Sequence, residues 1–70
     1  MKSCLKRLHY DMSPEEVIII KLTDDFELTL RKNEKVTNSG ELIVIIRDNG
    51  RKVVINPQRI LFFYFREDYL

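Results

Sequence analysis

The chain has 70 residues, 12 Lys and Arg against 11 Asp and Glu, one histidine and one cysteine. That length holds one domain and not two, and a domain this small buries only about 60% of its unfolded surface. One cysteine excludes an internal disulfide, and one histidine with it excludes a Cys/His zinc cluster, so self-association is the reinforcement left to a small core. With 44% hydrophobic and 33% charged residues the composition is that of a folded protein. The longest apolar runs, Val17–Ile20, Leu42–Ile46 and Ile60–Phe65, are too short to span a membrane as helices, and the cationic start lacks the apolar stretch of a secretory signal. A lone cysteine suits a reducing compartment, so a cytoplasmic location is expected. A net charge of +1 argues against bulk duplex DNA as partner.

Residues 1–12 form an N-terminal segment in which Leu5, Leu8 and Met12 recur at helical spacing. A helix of that length is marginal alone and must dock on a core. Ser13-Pro14-Glu15-Glu16 is a helix-start signal, with Ser as cap and Glu three residues on. The four β-branched residues Val17-Ile18-Ile19-Ile20 that follow favour extended chain, so the signal is expected to make one turn leading into a strand.

The β core is expected over residues 13–66 as about five short antiparallel strands. Val17–Leu22 is the first. Phe26–Arg31, the second, places Phe26, Leu28 and Leu30 on one face and Glu27, Thr29 and Arg31 on the other. Matching the apolar faces pairs Leu22 with Phe26 and leaves the three-residue connection Thr23-Asp24-Asp25; a two-residue turn would set Leu22 opposite Glu27. Such a loop holds a residue in the left-handed region, which Asp tolerates better than most.

Lys32–Gly40 reads as a polar loop. Glu41–Arg47 is the third strand and Lys52–Asn56 the fourth. Asn49-Gly50 between them is a hairpin signal that predicts a type I′ turn. Pairing Asp48 with Arg51 sets Ile46 opposite Val53 and Val44 opposite Ile55, with Ile43, Ile45 and Val54 on the reverse face. Asn56-Pro57-Gln58-Arg59 breaks the sheet with a turn or a single 3₁₀ turn. Ile60–Arg66, the fifth strand, is apolar on both faces and needs cover on both. Residues 67–70 are expected to fray as a tail.

This order of elements resembles that of SH3-like barrels, and among them the Sm type, which has an N-terminal helix and a short turn before its last strand. Residues 3–66 can be laid on that plan, with Ile55-Asn56-Pro57-Gln58-Arg59-Ile60 at the final turn. Strand two lacks the glycine at which Sm-type strands often bend, and no functional residue is carried over. The expected fold is mostly β: a small SH3-like barrel or curved sheet.

Catalytic constellations are scarce. Cys4 and His9 are the only thiol and imidazole, and a dyad between them would need a pocket at a chain end. Glu15-Glu16, Asp24-Asp25 and Glu67-Asp68 are neighbours in sequence and need not converge in space, and neither glycine sits in a phosphate loop. The sequence therefore predicts a non-catalytic chain with no catalytic residues, no cofactor and no metal site. Binding is the remaining signal. The first expectation is a module that associates with itself as a homo-oligomer, or with another protein, through Ile60, Phe62, Phe63, Tyr64, Phe65, Ile43 and Ile45. The alternative is a nucleic-acid-binding barrel using Arg47, Arg51, Lys52, Arg59 and Arg66, disfavoured by the small net charge.

Overall fold

In the computed structural model, residues 4–67 are described; of the tail expected at 67–70, Glu67 instead pairs with Glu16 as the last residue of a strand, and residues 68–70, like the side chain of Cys4, lie outside the described set. A short helix α1 (Cys4–Asp11) leads into β1 (Glu16–Leu22), β2 (Glu27–Arg31), β3 (Lys35–Ser39), β4 (Leu42–Ile46), β5 (Lys52–Ile55) and β6 (Ile60–Glu67). Two antiparallel three-stranded sheets result, the first in the order β2-β1-β6 and the second in the order β3-β4-β5. Strand pairing does not close them into a barrel among the described residues.

The helix forms where the leucine spacing predicts it. Leu5 and Met12 are buried and Leu8 packs on the same cluster. The helix is fastened to the corner between β2 and β3: Lys32 Nζ donates to the carbonyls of Tyr10 (2.6 Å) and His9 (3.3 Å). A cation at a helix C-terminus satisfies orphan carbonyls and opposes the negative end of the macrodipole.

Ser13 and Glu16 make only the carboxylate half of a capping box, the other bond going to the Ser13 main-chain carbonyl rather than its hydroxyl, and no helix follows them. Glu16 N–H donates to the Ser13 carbonyl at 3.1 Å, and Ser13 N–H donates to Glu16 Oε1 at 2.9 Å. The turn is a single one, and the β-branched run continues as strand.

β1 and β2 pair as face matching requires. Ile18 faces Leu30, Ile20 faces Leu28, and Leu22 N–H donates to the Phe26 carbonyl at 2.8 Å. Asp24 and Asp25 both adopt positive φ, 66° and 65°, in a 3₁₀ turn over Thr23–Asp25. Phe26 continues the apolar parity of Leu28 and Leu30, yet at the sheet end it is 67% exposed.

Three further expectations are corrected. Residues 35–39, assigned to a polar loop, form β3, so among the described residues there are six strands rather than about five. Val36 is the only aliphatic residue in that strand, and pairing with β4 rather than local pattern makes it extended. Its hairpin to β4 turns at Gly40-Glu41, where only Gly40 has positive φ, 60°, the sign pattern of a type II′ turn.

The β4–β5 hairpin has a different register from the one read from Asn49-Gly50. Ile43 pairs with Ile55, Ile45 with Val53 and Ile46 with Lys52. Arg47, not Asp48, closes the turn with Arg51, its N–H donating to the Arg51 carbonyl at 2.7 Å. The loop is three residues, Asp48-Asn49-Gly50, and only Gly50 takes positive φ, 89°. A type I′ turn would have forced Asn49 there too, and the three-residue loop avoids that cost.

The third correction follows from the second. Ile43 and Ile45, expected on the reverse face and at an interface, are buried in the core with Val36, Ile55, Ile18, Ile20 and Leu30. β4 is aliphatic on both faces, so its own sequence cannot fix its side. Val36 opposite Ile45 on β3 and Val53 opposite it on β5 settle the matter.

The two sheets meet at the corner between β2 and β3. Glu34 is buried there, its Oε1 accepting from Arg31 N–H at 2.9 Å and from Arg47 Nη1 at 2.9 Å. The same Nη1 also donates to the Thr29 carbonyl. An acid and a base thus bend the chain from one sheet into the other, at the place where no glycine is present to do so.

Candidate interaction surface

β6 is the outermost strand of the first sheet and its most apolar one. Its pairing with β1 runs Arg66 to Val17, Phe65 to Ile18, Tyr64 to Ile19, Phe63 to Ile20 and Phe62 to Lys21, then shifts so that Ile60 meets Leu22. Leu61 has no partner on β1 and occupies a bulge. Ile60 and Phe63 pack against the core as half-buried residues. Leu61 (63%), Phe62 (54%), Tyr64 and Phe65 are exposed. Phe62 and Tyr64 share a face, their ring centroids 6.2 Å apart at 31°.

Of the seven residues the sequence offered for an interface, three therefore stand exposed on β6, two are half-buried beside them, and Ile43 and Ile45 are inside. Val54, Leu61 and Phe26 are exposed and were not proposed. Their exposure comes from register, a bulge and a sheet end, none of which residue type signals.

The second outermost apolar strand is β5. A shallow groove of about 220 Å³ runs beside its C-terminal end, lined by Leu22, Thr23, Asp24, Phe26, Val54, Ile55, Asn56 and Arg59. The 3₁₀ turn Pro57–Arg59 that leads to β6 is capped by Asn56, whose Oδ1 accepts from Gln58 N–H at 3.0 Å. Arg59 Nη1 lies 3.6 Å from Asp24 Oδ2 and 3.5 Å from Thr23 Oγ1, joining the two 3₁₀ turns across the groove.

The five cations proposed for nucleic acid do not converge. Arg47 is committed to Glu34 and Thr29. Arg59 is turned to Asp24. Arg51 and Lys52 are exposed at the β4–β5 hairpin, while Arg66 is exposed on β6 in the other sheet.

His9 Nε2 lies 3.0 Å from the Arg31 carbonyl. That oxygen only accepts, so the Nε2 proton donates to it and this nitrogen is not available as a base. Among the described residues no three of His, Cys, Asp and Glu gather where a metal ion could sit. Asp24 and Asp25 are held apart from such a role by their turn and the Arg59 pair. No helix among the described residues is long and apolar enough to cross a membrane.

Lys21 is perturbed in the strand pair that it shares with Glu27. Its hydrogen bond to Glu27 across β1–β2, at 3.0 Å, and the charge of that carboxylate raise its pKa above 10.5. Comparison with models of known families, with curated proteins and with solved structures finds no match to this chain.

Proposed function

We propose that this chain is a non-catalytic interaction module that assembles with further copies of itself through its two apolar outer strands, β6 of one copy against β5 of the next. Each sheet has two outer strands, and they differ in kind. β2 and β3 alternate with Glu27, Thr29 and Arg31, or carry Lys35, Thr37, Asn38 and Ser39. Polar and charged side chains of that sort blunt an edge. β5 and β6 carry Val53, Val54 and Ile55, and Ile60 to Phe65. An apolar open edge is a template for another strand, and main-chain pairing with side chains on both faces is a common recognition mode.

The observation that carries the reading is the eight-residue β6, outermost in its sheet, with Leu61, Phe62, Tyr64 and Phe65 all exposed. The groove beside β5, lined by Phe26, Val54 and Leu22, offers an incoming strand a place for one side chain. The two sheets then act as the halves of a small SH3-like barrel left open between β5 and β6, and the single cysteine suits a cytoplasmic setting. Static light scattering across micromolar concentrations tests the proposal. Assemblies larger than one chain are expected; a folded, strictly monomeric chain throughout that range overturns it.

A further inference from the structure

The outward face of the second sheet is a different surface from the main-chain edges, although it shares Val54 with the groove beside β5. Alternation puts Leu42, Val44 and Ile46 of β4 on that side, opposite to the buried Ile43 and Ile45. Register adds Val54 beside Val44 and makes a row of Lys35, Ile46 and Lys52 across the three strands. Register neighbours on one face stand about 5 Å apart, so the two ammonium groups flank the isoleucine. Val54 is 59% exposed and Leu42 40%. Arg51 adjoins Lys52 in the hairpin turn. Lys35, Arg51 and Lys52 have no ion-pair partner among the described residues. Acids stand on the rim at Asp48 in the same turn and at Glu41, next to Leu42 at the far end. The face is therefore an aliphatic stripe with three cations and Asp48 at one end and Glu41 at the other.

We propose that this face docks a short acidic peptide segment of another protein, its aliphatic side chains on Leu42, Val44, Ile46 and Val54 and its carboxylates at Lys35 and Lys52. The size of the face decides against a globular partner. Strands of five, five and four residues cover roughly 220 Å², far below the ~800 Å² per partner of a stable protein pair. The chemistry decides against nucleic acid, because no residue of β3, β4 or β5 is aromatic, Phe26 meeting Val54 only in the groove beside β5, and aliphatic groups cannot read base edges. The stripe specifies an aliphatic ligand, and the unpaired cations specify its charge.

The test is an NMR titration of the full-length ¹⁵N-labelled chain with a ten-residue peptide of alternating leucine and glutamate. Amide shifts at Val44, Ile46, Lys52 and Val54 are expected, with Kd of about 0.1–1 mM, as suits so small a contact. The Lys35→Glu, Lys52→Glu variant should lose the response, and Lys35→Gln, Lys52→Gln should weaken it. Both lysines are exposed, so the variants keep the wild-type spectrum elsewhere. A leucine–lysine peptide of equal length should leave this face unshifted. The proposal is overturned if the acidic peptide shifts nothing there or if both peptides act equally. It is also overturned if a ten-residue oligothymidine or phosphatidylserine vesicles occupy the face in preference to the acidic peptide.

Discussion

Arg47 Nη1 donates to Glu34 Oε1 at 2.9 Å, and this pair joins the hairpin of the second sheet to the corner through which the first sheet enters it. Glu34's side chain is 6% exposed and Arg47's 22%, so the pair is shielded on the acid's side. The same carboxylate holds Arg31 N–H, which makes one acid responsible for the bend and for the contact between sheets. Replacing Glu34 with leucine should destabilise the fold by about 2 kcal/mol, because it strands Arg31 N–H and leaves the Arg47 guanidinium with only the Thr29 carbonyl. Glu34→Gln should cost less, since the amide oxygen still accepts. Urea unfolding measures both, and equal stability of Glu34→Leu and wild type would refute the role of the corner.

The register of β4 gives a sharper test. Ile45→Thr puts a hydroxyl into the core and should cost more than about 2 kcal/mol. Ile46→Thr changes a half-buried outward residue and should cost less than about 1 kcal/mol. The register of a type I′ turn would invert that order, so the ranking of the two midpoints in denaturant decides between them.

Turn geometry predicts opposite signs at two positions. Gly50 has φ of 89° with open space where a Cβ would stand. Gly50→Ala should therefore lose about 1 kcal/mol through backbone conformation alone. Asp25, at φ of 65°, carries that strain already, so Asp25→Gly should leave stability unchanged or raise it slightly. Thermal unfolding of the two variants shows both shifts.

Lys21 supplies a pH dependence with a definite sign. Its folded pKa is raised, first by the hydrogen bond to Glu27 and then by the charge of that carboxylate. The resulting stabilisation is fully present below the unfolded value of 10.5 and is lost as pH rises through the folded value. A ¹⁵Nζ titration should place Lys21 above 10.5, and Glu27→Gln should bring it down.

Assembly through β6 predicts that Leu61→Asp with Tyr64→Asp produces a folded monomer. Both side chains are exposed, so the circular dichroism should persist while the mass from light scattering falls to one chain. Unchanged mass would locate the contact elsewhere.

Several of these features are visible in the residues themselves. The Val17-Ile18-Ile19-Ile20 run announces a strand because β-branching restricts χ1, and alternation in Phe26–Arg31 fixes its mate's register. Leu5, Leu8 and Met12 announce the docked helix, and Asn56-Pro57 the break before β6. The interface expectation was legible only in part. A run of aromatics says that cover is needed without saying which members the chain covers itself, and here it covers half of Ile60 and Phe63.

β3 was not legible because four of its five residues are polar or charged and its extended form comes from pairing with β4. Nor was the role of Arg47, since a cation beside a hairpin turn looks the same whether it faces solvent or an acid 13 residues back in the chain.

Local chemistry alone determined that β1, β2, β4, β5 and β6 run extended, that the chain breaks near Thr23–Asp25, Asp48–Gly50 and Pro57–Arg59, and that its helix must dock, because those outcomes depend on torsional preference and nearest neighbours. Tertiary structure decided which side of β4 enters the core, that Glu34 and Arg47 meet, and which apolar residues of β5 and β6 remain uncovered. Those outcomes depend on contacts between segments far apart in sequence, where several arrangements satisfy the same local pattern and only simultaneous packing of both sheets selects one.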